Sequence, residues 1–151
     1  MEKTRVLFIC TENTACSQMA EGLLRRHAGD RYEVHSAGCV KGGEVHPLTA
    51  RVMDEIGVDI SDHYTKELRE FWGNKHFGYQ ITVCKREEER ELNCPIYPGM
   101  GVKFSWPFED PRAYEGPEDE ALQRFRDVRD RIDARIRSWI QEQEAGAAIR
   151  G

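Results

Sequence analysis

Long hydrophobic runs are missing from this chain. The longest early one, Val6 to Cys10, is too short for a secretion-signal core or a membrane span, and no later segment exceeds it. With a mean hydropathy of -0.69, this predicts a water-soluble, cytoplasmic protein with no membrane role. Excess basic charge is missing too. Lys and Arg number 22 against 27 Asp and Glu, a net charge of -5, which argues against a general nucleic-acid binder. Closely paired cysteines of the C-x2-C kind are absent, which removes the usual signature of a zinc site. The five cysteines, Cys10, Cys16, Cys39, Cys84 and Cys94, are odd in number, unlike a secreted disulfide scaffold. There are no internal repeats either. What remains is 151 residues, 39% hydrophobic and 32% charged, enough for one domain over residues 1–151 with one core, expected to be a monomer.

The order of elements follows from periodicity. Arg5 to Ile9 is a nearly continuous apolar run, as a central parallel strand covered on both faces requires. From Ser17, a candidate N-cap, Met19, Ala20, Leu23 and Leu24 form a helical stripe, with Glu21, Arg25 and Arg26 off it. Tyr32 to His35 reads as a second strand. Pro47 opens a helix with Leu48, Val52, Met53 and Ile56 on its buried side, and Gly57 stops it. Val58 to Ser61 re-extends. Thr65 is placed to cap a third helix carrying Leu68, Phe71 and Trp72, with Gly73 at its end. Phe77, Tyr79, Ile81 and Val83 alternate with polar neighbours, so Cys84 falls at a strand's C-terminal end. Lys85 to Glu91 is a solvated helix or loop, and Val102 to Trp106 is a last strand. Pro117 opens a long helix with the stripe Leu122, Phe125, Val128, Ile132, Ile136, Trp139 and Ile140, fraying from Ala145. Trp72, Trp106 and Trp139 are read as core. Alternating strands and helices predict a three-layer α/β/α domain with a mainly parallel sheet.

In such sheets, sites form beyond the strand C-termini. That points to Cys10-Thr11-Glu12-Asn13-Thr14-Ala15-Cys16-Ser17, which joins the first strand to a helix N-terminus. Backbone N–H groups and the helix dipole there form an oxyanion cradle and favour a thiolate at its base. Cys10 is therefore a candidate nucleophile, although a cysteine at a strand end also packs well as a small hydrophobe.

The run Val6-Leu7-Phe8-Ile9-Cys10-Thr11, then Asn13-Thr14-Ala15 and Ser17-Gln18-Met19-Ala20-Glu21-Gly22, resembles the low-molecular-weight protein-tyrosine-phosphatase superfamily, which includes the thioredoxin-coupled arsenate reductases. The resemblance continues through Ser36-Ala37-Gly38, His46-Pro47, Val52-Met53, Gly57-Val58-Asp59-Ile60-Ser61 and Trp106-Pro107-Phe108-Glu109-Asp110-Pro111. It implies Cys10 as nucleophile, Ser17 as the hydroxyl that stabilises its thiolate, Asn13 as a holder of the loop's shape, and Asp110 as the group that assists the departing oxygen. On residue type alone, Asp110-Pro111 is a turn.

The family loop is C-x5-R, and here Cys16 occupies the arginine's position. A thiol can neither grip two oxygens of a dianion nor offset their charge. Three readings of Cys16 stay open: an introduced substitution, a degenerate binding homologue, or a repurposed redox pair with Cys10. Gln18 and the absence of paired tyrosines after Asp110-Pro111 resemble the arsenate reductases rather than the phosphatases. So do Cys84 and Cys94, because the resemblance implies a relay in which Cys84 releases arsenite by attacking Cys10, and Cys94 then draws the disulfide outward. It also implies arsenate or a phosphate-like oxyanion as substrate, thioredoxin as external reductant and no bound cofactor. A phosphatase acting through phosphocysteine at Cys10 is the alternative, and a non-catalytic homologue is a third reading. Cys39 has no implied role.

Overall fold

The computed structural model describes residues 3–91 and 94–150. Four strands, β1 (Thr4–Cys10), β2 (Tyr32–Gly38), β3 (Tyr79–Thr82) and β4 (Val102–Ser105), pair in the order β2-β1-β3-β4. All three pairings are parallel. From β1 the chain reaches β2 on one side and later β3 on the other, so the end of β1 is a topological switch point. Cys10 is the last residue of that strand.

Alternation along β1 divides the interior in two. Val6, Phe8 and Cys10 join the larger core with residues of α1 (Cys16–Ala28), α2 (Pro47–Glu55) and α4 (Glu118–Arg150). Leu7 and Ile9 face the other side, where Leu68, Phe71, Phe77 and Tyr97 cover the sheet. That second covering layer is thin: a 3-10 turn at Leu68–Glu70 and loops, without a long helix. The predicted stripe of α4 is buried from Leu122 to Ile140, with Ile132, Ile136 and Trp139 fully enclosed.

Several local expectations are corrected. Ser17 does not cap α1; the helix begins at Cys16, with Ala15 at the N-cap and no side-chain cap bond. The Ser17 hydroxyl is drawn instead to Cys10, 2.7 Å away. The helix expected after Thr65 contracts to the 3-10 turn, since one turn suffices to bury Leu68 and Phe71. Thr65 donates to the Gly43 carbonyl at 2.7 Å, and Trp72 is 43% exposed. Val58 to Ser61 forms no strand. Glu21, placed off the apolar stripe of α1, is buried among partners described below. The end of α4 does not fray at Ala145 but stays helical to Arg150. It is held by Gln143, which accepts from the Tyr79 hydroxyl at 3.0 Å, and by an Arg31–Glu144 ion pair. Lys85 to Glu91 contains the short helix α3 (Arg86–Glu91).

Ile132 is fully enclosed in the larger core. Ile132→Ala is expected to destabilise the fold by about 2–5 kcal/mol, read as a lowered urea midpoint at unchanged m-value.

Candidate active site

Between β1 and α1 each backbone carbonyl has a partner, most of them in the segment behind the loop. Cys10 O accepts from Cys39 N at 2.9 Å, Thr11 O from Val40 N at 3.0 Å, and Glu12 O from Gly42 N at 3.0 Å. Asn13 O accepts from Gln18 Nε2 at 3.0 Å. Thr14 O accepts from His46 N at 3.0 Å and from the Thr49 hydroxyl at 3.0 Å. Ala15 O is bonded by Met19 N within α1. With the carbonyls so engaged, loop N–H groups lie on the concave side. There Asn13 N donates to Cys10 Sγ at 3.2 Å, and the Ser17 N–H reaches the same sulfur.

The segment behind the loop must come very close. A Cβ on Gly38 would lie 2.5 Å from Val40 O and 2.9 Å from Asn13 N, both backbone atoms that cannot swing aside. That is the physical content of the Ser36-Ala37-Gly38 run. His46, at the start of α2, caps that helix by accepting from Leu48 N at 3.1 Å and lies against the Phe125 ring. Burial, foremost, holds its imidazole below the usual range, in keeping with the acceptor role of Nδ1.

Asn13 stands in the left-handed region, at φ 63°, which asparagine tolerates better than most residues. Its amide nitrogen donates to Ser17 Oγ at 2.8 Å and to Ser36 Oγ at 3.0 Å. Its oxygen accepts from Lys66 N at 2.9 Å and from Gln18 Nε2 at 3.1 Å. Ser36 in turn donates to the buried Glu21 carboxylate at 2.6 Å, which Arg25, His63 and Lys66 surround. Gln18, Glu21, Ser36 and Lys66 thus form a support that residue types alone did not disclose. Gln18, Glu21 and Ser36 stand in the runs that carry the family resemblance, but nothing in those runs shows that they meet.

Cys10 is buried, and burial pushes its thiol up. The Ser17 hydroxyl, the Asn13 and Ser17 N–H groups and the charge of Arg112 oppose that rise. Cys16 lies in the same cleft, and burial, Cys10 and Asp110 together drive its thiol well above the ordinary range. It is therefore a neutral S–H, directed at the Glu109 carbonyl 3.7 Å away. The cleft is walled by Cys10, Thr11, Ala15, Cys16, Val83, Cys84, Glu88, Phe108, Asp110 and Arg112. Cys84 thus reaches it from just beyond β3, as its strand-end position suggested. A larger cleft of about 450 Å³ opens alongside and shares Glu88 and Asp110.

Asp110 also reaches the cleft, but both its oxygens accept from Arg112: Oδ1 from Nε at 3.0 Å, Oδ2 from Nη2 at 2.7 Å. The same guanidinium crosses to the loop. It donates to Thr14 Oγ1 at 2.8 Å, to Thr11 Oγ1 at 3.2 Å, and to the Glu12 carboxylate. Arg112 was overlooked in the sequence, although it follows Asp110-Pro111 directly. Cys94 stands apart from the expected relay, since it is disulfide-bonded to Cys39, leaving thiols at Cys10, Cys16 and Cys84. The expected outward partner of Cys94 was Cys84. Cys39 displaces it because the end of β2 and the segment after α3 meet, with Cα atoms 4.7 Å apart.

A buried thiol at a switch point, facing loop amides and an uncapped helix N-terminus, is the arrangement of thiol chemistry on oxyanions. The sequence profile of the low molecular weight phosphotyrosine protein phosphatase family matches residues 5–147, and the chain belongs to that family. It is similar to an arsenate reductase of Shouchella clausii, 35% identical over 144 residues, covering 95% of this chain and all of that one. It also resembles the solved thioredoxin-dependent arsenate reductase of Corynebacterium glutamicum, at 32% identity and TM-score 0.65, covering 95% of this chain and 63% of that one. The solved low molecular weight protein tyrosine phosphatase of T. tengcongensis has 28% identity and TM-score 0.73, covering 93% of this chain and 99% of that one.

Ser17 contributes the largest of the effects that lower the Cys10 thiol. In Ser17→Ala the thiol should rise further, leaving less thiolate at neutral pH. Alkylation of Cys10 by iodoacetamide, followed by peptide mapping, should slow roughly 10-fold or more, the worth of a hydrogen bond to a charged group. Its pH profile should move to higher pH.

Proposed function

We propose that this chain is an arsenate reductase in which Cys10 attacks arsenate and Cys84 completes the reduction. The observation that carries this reading is that the two cysteine side chains wall one cleft, with the first seated in an oxyanion cradle. The Cys10 thiolate forms a sulfur–arsenic bond while one arsenate oxygen departs as water. Cys84 then attacks the Cys10 sulfur. The new S–S bond forms as the S–As bond breaks, and its electron pair stays on arsenic, which leaves as arsenite. Arsenic gains two electrons and the Cys10–Cys84 pair loses two. An external dithiol, thioredoxin in this reading, returns them, so the cycle uses the chain's own thiols without a bound cofactor.

Cys94 can take over the disulfide from Cys84 only after its bond to Cys39 has been reduced. Asp110 is the residue to protonate the departing oxygen, which requires Arg112 to release one of its carboxylate oxygens. Among the described residues no helix is long and apolar enough to cross a membrane.

With thioredoxin, thioredoxin reductase and NADPH, the protein should consume NADPH in an arsenate-dependent way, and both Cys10→Ser and Cys84→Ser should reduce this to background. Hydrolysis of an aryl phosphate that depends on Cys10 but survives Cys84→Ser, without arsenate-dependent NADPH loss, would assign the phosphatase activity instead. No turnover of either substrate would leave the binding reading.

A further inference from the structure

We propose that Arg112 is the oxyanion-gripping residue of this site, supplying from the turn after β4 the guanidinium that the loop lacks at Cys16. The inference rests on reading the Cys10 loop as an oxyanion seat. Between Cys10 and Ser17 the sequence offers no Lys or Arg, so within the loop a dianion meets amides, hydroxyls and thiols but no cationic side chain. The Arg112 side chain borders the same cleft as Cys10, and its charge acts to lower the Cys10 thiol.

A guanidinium serving only its own turn would need nothing beyond Asp110, two residues away. Arg112 instead spends its remaining donors on Thr11, Thr14 and Glu12, on the rim of the loop. All five N–H groups are thereby engaged. One partner is replaceable. The Glu12 carboxylate is itself an oxyanion, and its side chain is 44% exposed, so it can leave for water at little cost. An incoming dianion repels Glu12 and attracts Arg112, exchanging one carboxylate for the substrate on the same planar fork. Glu12 is thus a placeholder, and Asp110 holds the guanidinium in position from the other side.

The test is calorimetric titration with inorganic phosphate, which needs no turnover. Arg112→Gln should weaken phosphate binding roughly 10- to 100-fold, the effect of removing charge-assisted hydrogen bonds. Arg112→Lys, which keeps the charge but loses the fork, should fall between. Glu12→Gln should bind phosphate more tightly than the parent, and most of that gain should vanish in the Arg112→Lys background, because relief of through-space repulsion alone would persist there. Unchanged binding in Arg112→Gln overturns the proposal. Should that variant fail to fold by circular dichroism, Arg112→Lys decides: phosphate binding equal to the parent's, or a Glu12→Gln gain that persists undiminished in Arg112→Lys, overturns the proposal, and weaker binding with that gain lost upholds it. A parent protein that binds no phosphate has no seat, and both this inference and the reductase reading then fail. Phosphate binding that follows the expected order without arsenate reduction upholds Arg112 and removes only the reductase reading.

Discussion

The site depends on what is done with six carbonyl oxygens. A short loop between a buried strand and a helix can turn its amides inward only if its carbonyls find partners elsewhere, because a buried unpaired carbonyl costs about as much as a lost hydrogen bond. Here residues 39–49 provide most of those partners from behind, with Gln18 and α1 supplying the rest. The absence of a side chain at Gly38 lets the backbones approach closely enough for this. The position of the thiol, its hydrogen bonds and the open helix N-terminus follow from that arrangement. Asn13 is the pin: from one strained position it joins the loop to Ser17, Ser36, Gln18 and the Lys66 amide.

The electrostatics of the cleft are unusual for a site meant to attract an anion. Glu12 and Asp110 both bind one guanidinium, Glu88 lines the same cleft, and the Cys16 thiol there stays neutral. Positive character therefore comes from fixed amide dipoles and from a single side chain already occupied. In a cleft of this kind, net charge says little; what counts is which charged group can move. Glu12 is half-exposed, whereas Asp110 caps a second 3-10 turn, Pro111–Ala113, where its Oδ1 accepts from the Arg112 amide at 2.9 Å.

Much of this was legible in the sequence, and the exceptions share a cause. The strands, the stripe of α4, the Pro47 start and Gly57 stop of α2, and the loop after β1 all write themselves in local periodicity or in residues with narrow conformational uses. Cys10 and Cys84 were placed correctly because strand ends are readable from alternation. The Ser17 cap, the helix after Thr65 and the fraying of α4 failed where a tertiary partner outbid a local preference: Cys10 for Ser17, the Gly43 carbonyl for Thr65, Tyr79 and Arg31 for the last turns. Glu21, off the apolar stripe of α1, is buried and accepts from Ser36, which in turn accepts from Asn13. The Cys39–Cys94 bond and the reach of Arg112 join residues far apart in the chain, and no one-dimensional pattern carries such pairings.

An arginine within the loop would reach the thiol as soon as β1 and α1 came together. Arg112 instead meets Thr11, Glu12 and Thr14 across about a hundred positions of chain. During synthesis, or after any cut before β4, the cysteine can be present while its countercharge is not. The anion pocket is therefore among the last parts of the molecule to be completed, and its possession certifies that the whole sheet has closed.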